Sequence, residues 1–225
     1  MADGNAPIMM SVAVLGGTGK EGSALAMRWA LNGYKVIIGS RTEEKAKTRV
    51  AELNEELGGE YLVGMANEDA ANEGEIVVLS VPYSAHKPTI ESVKEHLSGK
   101  VVVDLTVPLA PPKIMSVSVP EGKAAALEAQ SYLDNGAKVV AAFQNVSAVK
   151  LKQLDKAVDC DVLVCGDDDD AKADVIKLVE AASMRGIDAG SLENSVAVEA
   201  LTPVLLYINK KYKVKGAGIR ITGVE

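Results

Sequence analysis

Apolar residues in this chain fall into short β-branched runs, separated by helix-length stretches whose apolar positions recur every three or four residues. The runs occupy 12–15, 35–39, 61–64, 75–81, 100–105, 138–143, 161–165 and 186–189. Continuous Val, Ile, Leu and Ala suit strands buried on both faces of a parallel sheet. Helical spacing fits 23–32, 43–57, 84–97, 123–135, 169–184 and 192–211. Strands alternating with helices predict an α/β fold, a doubly wound and mostly parallel sheet with right-handed crossovers. Ligands of such sheets lie outside the carboxyl ends of the strands. That directs attention to 17–22, 40–41, 81–83, 106–109 and 144–148.

The first of these segments is the most informative. Gly17, Gly19 and Gly22 form a Gly-x-Gly-x-x-Gly pattern between an apolar run and a helix. Strand, glycine turn, helix and second strand make a Rossmann-type dinucleotide site. Gly17 permits the tight turn, Gly19 lets backbone approach a pyrophosphate, and Gly22 lets the helix pack against the strand. First-turn amides from Thr18 to Glu21 would point at the phosphates, with the positive end of the helix dipole behind them. The second strand ends in Ser40-Arg41, where an NAD site carries an acid for the ribose hydroxyls. A guanidinium grips a phosphate with paired charge-assisted bonds, so Arg41 selects NADP(H), with Ser40 and Lys45 as neighbouring donors.

The rest of the chain refines this picture. The segment 109–121 carries Pro111, Pro112 and Pro120 just after Pro108, and reads as an extended loop. A soft boundary falls near Asp155. Residues 11–155 are predicted to form the NADP-binding domain. Residues 156–225 add a small C-terminal α/β extension with a long terminal helix. Residues 1–10 contain Asp3, Gly4, Asn5 and Pro7 and read as a disordered lead-in, not a targeting signal.

With 48% hydrophobic but only 4% aromatic residues, the core must be aliphatic. A net charge of −7 argues against a nucleic-acid partner. No apolar run reaches the ~18 residues that would span a membrane. Cys160 and Cys165, five apart in one predicted strand, point to opposite faces and form no disulfide or metal pair, as suits a reducing cytoplasm. The run 167–170 of four aspartates precedes a helix and reads as capping charge. His86 and His96, with no acidic partner at catalytic spacing, read as surface residues. Trp29 shares a helical face with Leu25 and Ala26 and reads as core. No base–nucleophile set or zinc spacing appears.

Several longer motifs then carry a resemblance. They are Gly-Gly-Thr-Gly-x-x-Gly at 16–22, Gly-Ser-Arg-x-x-Glu-Lys-Ala at 39–46, and Gly-Met-Ala-Asn-Glu-Asp-Ala at 64–70. Ala-Ala-Phe-Gln-Asn-Val-Ser-Ala at 141–148, Val-Cys-Gly-Asp-Asp-Asp at 164–169, the stretch 188–195 and Glu-Ala-Leu-Thr-Pro at 199–203 complete the set. Together, from about Ser11 to about Asn209, they resemble the reduced coenzyme F420:NADP oxidoreductases. The resemblance implies reversible hydride transfer between NADP(H) and the deazaflavin coenzyme F420 by a cytoplasmic enzyme, usually a homodimer or higher homo-oligomer. Its NADP contacts carry over to Thr18, Gly19, Lys20, Glu21, Ser40, Arg41 and Lys45, with Val81, Val107 and Ala148 near the nicotinamide. The deazaflavin would lie over Gln144 and Val146. Family members can carry His at position 144. Glutamine can donate a hydrogen bond to a ring carbonyl but cannot titrate near neutrality. No catalytic acid is required, since orientation of two reactive rings suffices. The residues alone also admit an imino-acid or hydroxyacid dehydrogenase, an NADPH-dependent ferric or flavin reductase, and a non-catalytic NADPH sensor.

Overall fold

The structure, a computed structural model, describes residues 10–133 and 136–224. The expected lead-in, apart from Met10, and the Asn135 end of one predicted helix lie outside the described residues. Eight strands are found among them: β1 (Ser11–Leu15), β2 (Lys35–Ser40), β3 (Leu62–Ala66), β4 (Ile76–Leu79), β5 (Val101–Asp104), β6 (Lys138–Ala141), β7 (Asp161–Gly166) and β8 (Arg185–Asp188). The helices are α1 (Lys20–Leu31), α2 (Glu43–Leu57), α3 (Asn67–Glu73), α4 (Tyr83–Val93), α5 (Ala125–Tyr132), α6 (Ala148–Leu151), α7 (Asp169–Ala181) and α8 (Ser195–Tyr212). The strands form one sheet in the order β3-β2-β1-β4-β5-β6-β7-β8. β1 to β6 run parallel, β7 pairs antiparallel to β6, and β8 is parallel to β7. The predicted doubly wound, mostly parallel sheet is therefore the observed one. Its order reverses between β1 and β4, which makes a crevice at their carboxyl ends.

Side chains of β1 alternate between two buried layers. Val12 and Val14 join the layer under α1, α2 and α7, whereas Ala13 and Leu15 join that under α3, α4 and α5. Each buried Val or Leu contributes about 1.5–3 kcal/mol. Cys160 and Cys165 are free and lie in opposite layers, as their spacing predicts. Trp29 is fully buried, with its ring edge-on to Phe143 at 5.9 Å. Asp168 caps α7 by accepting the Ala171 N–H at 2.8 Å, so capping is what this aspartate does.

Polar side chains hold the later elements in place. The buried Arg28 guanidinium donates to four carbonyls, those of Leu151, Gln153, Lys156 and Ala182, at 2.7–3.0 Å. The tail beyond α8 returns to the sheet edge. Asp161 Oδ2 accepts the Ile221 N–H, while Arg185 grips the Asp161 carboxylate and the carbonyls of Ile221 and Val224. Among the described residues no helix is long and apolar enough to cross a membrane.

Candidate functional site: two crevices at the carboxyl edge of the sheet

The β1–α1 turn is shaped by backbone crowding. Gly16 has φ +69°, and a Cβ there would lie 2.5 Å from Val81 Cγ1 and 2.7 Å from the Ser80 carbonyl oxygen. The left-handed step thus falls at Gly16, one residue before the position expected from the motif. Gly22 lets α1 close onto β4, since an added Cβ would sit 2.9 Å from Ser80 Oγ. Gly19 is the open position, where a Cβ would meet only the Gly16 oxygen at 3.5 Å. Gly19 also starts α1 without a side-chain cap. A helix start of this kind leaves its first-turn amides open to water or an anion.

A cavity of about 380 Å³ opens beside this turn, in the crevice between β1 and β4. Thr18, Gly19, Ser40, Arg41 and Lys45 line it together, although they come from two separate turns. Lys47 and Arg49 on the same helix are held by Glu43 and Glu52, whereas Arg41 and Lys45 are exposed. Val81 lines the same cavity from the end of β4. Asn67, Ser80 and Thr89 also line it and were not singled out as site residues from sequence. Asn67 Oδ1 accepts from the Gly16 N–H at 3.4 Å, a contact that depends on the helix α3 placing it there.

A second crevice, about 200 Å³, lies between the start of α1, the loop after β6 and the face of α8. Glu21, Gln144, Val146 and Ala148 line it with Asn145, Thr202 and Leu205. Burial pushes the Glu21 carboxyl up to about 8. Phe143, just before Gln144, is a non-glycine residue at φ +74°, which costs about 1–2 kcal/mol. It is fully buried, so packing against Trp29 holds the strained turn that presents Gln144. Gln144 Nε2 donates to the Asp104 carbonyl at 2.7 Å, which engages one of its two N–H groups. Gly17, Lys20 and Val107 line neither crevice. Gly17 is locked into the turn through its N–H, which is shared by the carbonyls of Val14 and Gly39.

Comparison with known proteins gives the family. Residues 11–108 match the family model described as NADP oxidoreductase, coenzyme F420-dependent. The F420-dependent NADP reductase of Methanocaldococcus jannaschii is 46% identical over 227 residues, covering 96% of this chain and all of that protein. The chain belongs to the F420-dependent NADP oxidoreductase family. A relative of the same description from Methanothermobacter marburgensis is 41% identical, over 96% of this chain and 99% of its own length. A solved structure, an F420-dependent NADP-reductase candidate from Arthrobacter sp. FB24, superposes with a TM-score of 0.81 at 25% identity, over 95% of this chain and 99% of its own.

Behind the two crevices this family member buries a titratable network that the helical spacing conceals. His86 is not a surface residue. It is 1% exposed, and its Nε2 lies 2.6 Å from Asp104 Oδ2. The two are 18 residues apart in sequence, and meet because α4 packs on the end of β5. His96, by contrast, is partly exposed beside Glu68. Glu199 of α8 is also buried, and its carboxylate accepts the Ala125 and Ala126 N–H groups at 2.8 and 3.0 Å. Burial pushes Glu199 up to about 8 despite these bonds. Burial opposes charge on His86, but Asp104, with Glu128 and Glu199 beyond it, outweighs that and raises its pKa.

Both groups hold a proton more tightly when folded than unfolded, and Glu21 acts in the same direction. Their stabilisation is complete below the unfolded pKa and is lost as pH rises through the folded one. For Glu199 that window runs from 4.5 to about 8. The melting temperature is therefore expected to fall steadily across it. Glu199→Gln should flatten the slope in calorimetric scans, and an unchanged slope would remove the assignment. Asp161 and Asp188, with depressed pKa values, act oppositely and at lower pH.

Proposed function

We propose that this chain transfers hydride reversibly between NADP(H) and the deazaflavin coenzyme F420, using the residues of the two crevices. The carrying observation is that both crevices meet at one helix terminus: Thr18 and Gly19 line the first and Glu21 the second. The first-turn amides of α1, with Thr18, Gly19, Lys20 and Glu21, would hold the pyrophosphate. Gly17 keeps the turn closed beneath it. Ser40, Arg41 and Lys45 would hold the adenosine 2′-phosphate. The uncapped helix and the open Cβ position at Gly19 fit an anion there. Backbone at Val81, Val107 and Ala148 would flank the nicotinamide, with Gln144 and Val146 against the deazaflavin.

When bound, the two rings supply the hydride chemistry themselves. The chain's contribution is orientation and the exclusion of water. α8 closes the second crevice with Leu205 and Thr202, and Thr202 Oγ1 donates to the Gln144 carbonyl at 2.6 Å. Holding two reactants face to face lowers the entropic part of the barrier. Residues 11–155 would form the NADP-binding part, and 156–225 the part that completes the deazaflavin groove.

Incubation with NADPH and, separately, F420, FMN, FAD or a ferric chelate tests the activity. Rapid NADPH oxidation is expected with the deazaflavin alone. Turnover only with FMN or iron would support a ferric or flavin reductase, and tight NADPH binding without turnover a sensor. We also infer a cytoplasmic homo-oligomer without nucleic-acid or membrane partners. The net charge of −7 weighs against a nucleic-acid partner. Val204 and Tyr207, 44% and 54% exposed along α8, support self-association. Light scattering after gel filtration should give a mass of two or more chains; a monomer would refute it.

A further inference from the structure

Gln144 and Asn145 are 4% and 2% exposed and line the second crevice side by side. Asn145 has spent both of its N–H groups inside the protein, and Gln144 one of its two. Gln144 Nε2 donates to the Asp104 carbonyl at 2.7 Å, and Asn145 Nδ2 donates to the Asp161 carbonyl at 2.7 Å and to Cys160 Sγ at 3.3 Å. Each has an oxygen with nothing to accept from: Gln144 Oε1 and Asn145 Oδ1 are both buried and unpartnered. Flipping either amide would set its oxygen against a carbonyl oxygen, so the orientation is fixed by its neighbours. The Gln144 backbone is held too, through the Thr202 hydroxyl of α8. Buried acceptors left without donors are costly and rare in native proteins, and two on neighbouring residues that line one crevice call for a donor from outside.

We infer that the second crevice recognises a ring-borne N–H donor, with the side-chain oxygens of Gln144 and Asn145 as its acceptors. The inference rests on the proposed activity, which brings two such donors to the site: the imide N–H of a deazaflavin and the carboxamide of a nicotinamide. It adds an accepting role at Gln144 Oε1 to the donating role expected from sequence. A buried amide oxygen without a donor from the protein reads the N–H edge of a heterocycle.

The test removes the ligand N–H and the protein acceptor in turn. Affinities of wild type and Gln144→Met are measured by fluorescence titration for a simple 5-deazaflavin and its imide N-methylated counterpart. The same is done for NADP and its analogue with acetyl in place of carboxamide. In wild type, one pair is expected to lose about tenfold in affinity with its N–H. In Gln144→Met, the penalty in that pair shrinks to within about twofold, and the pair affected identifies the donor. Binding of all four compounds with no such difference overturns the inference and leaves the proposed activity standing. Failure of both parent compounds to bind overturns both. Should Gln144→Met not fold, ¹⁵N-labelled parent ligands on wild type decide: a shifted, slowly exchanging N–H supports the inference, and a freely exchanging one overturns it.

Discussion

Arg41→Ala is expected to raise the KM for NADPH about thirtyfold while leaving that for NADH within about twofold. The selective loss corresponds to roughly 2 kcal/mol, the scale of a charge-assisted guanidinium–phosphate contact at a partly solvated site. Geometry supports the assignment. Arg41 leaves the end of β2 into the same cavity as Thr18 and Gly19, so one ligand can reach all three. Ser40, 4% exposed, lines the cavity beside it, and Lys45 follows on α2. The interaction is exposed to solvent, so salt should screen it. In wild type the NADPH KM should therefore climb with ionic strength, and in Arg41→Ala most of that dependence should vanish. Equal losses for both nucleotides would place Arg41 outside the selectivity of the site.

Arg28→Met is expected to destabilise the fold by about 3–5 kcal/mol, because it strands several buried carbonyls at once. Arg28 is 2% exposed, and its four acceptors belong to α6, the loop after it and the end of α7. Burial works against its charge, and Asp155 offsets part of that. Methionine restores the stem's apolar packing but none of the donors. Arg28→Lys should recover little, since an ammonium lacks the planar fork that reaches carbonyls in different directions. For a chain of this size the loss amounts to a drop of about 10 °C in melting temperature. A drop below about 2 °C would mean that water satisfies these carbonyls.

Most of the architecture was legible because the strands are short apolar runs and the larger helices are amphipathic. All eight predicted strand positions coincide with strands, within about two residues at most ends. Two short helices were not legible. α3 reads Asn-Glu-Asp-Ala-Ala-Asn-Glu, and only Ala70 and Ala71 are buried, too little apolar surface to leave a period. α6 has four residues. Its position depends on Arg28 capturing the carbonyl of Leu151.

The buried polar network was hidden for a different reason. His86 lies on the same stripe as Thr89, Ile90 and Val93, and Glu199 on that of Ser195, Val198 and Pro203. Polar side chains on an otherwise buried stripe were the available signal. Their partners, Asp104 and the start of α5, are distant in sequence, so no local spacing reveals them. The glycine turn and Ser40-Arg41 were readable because their chemistry is local. The second crevice was only partly so, since α8 reaches Gln144 across 58 residues.

One sheet carries both crevices without a break, and that has a consequence for inhibitor chemistry. The crevices meet at the start of α1, which follows β1 of that sheet. A bisubstrate compound, joining an adenosine 2′-phosphate head to a flat N–H-bearing heterocycle through a linker of matched span, would surrender its translational freedom once instead of twice. Its affinity should peak sharply at a single linker length, as befits a caliper with a fixed gap.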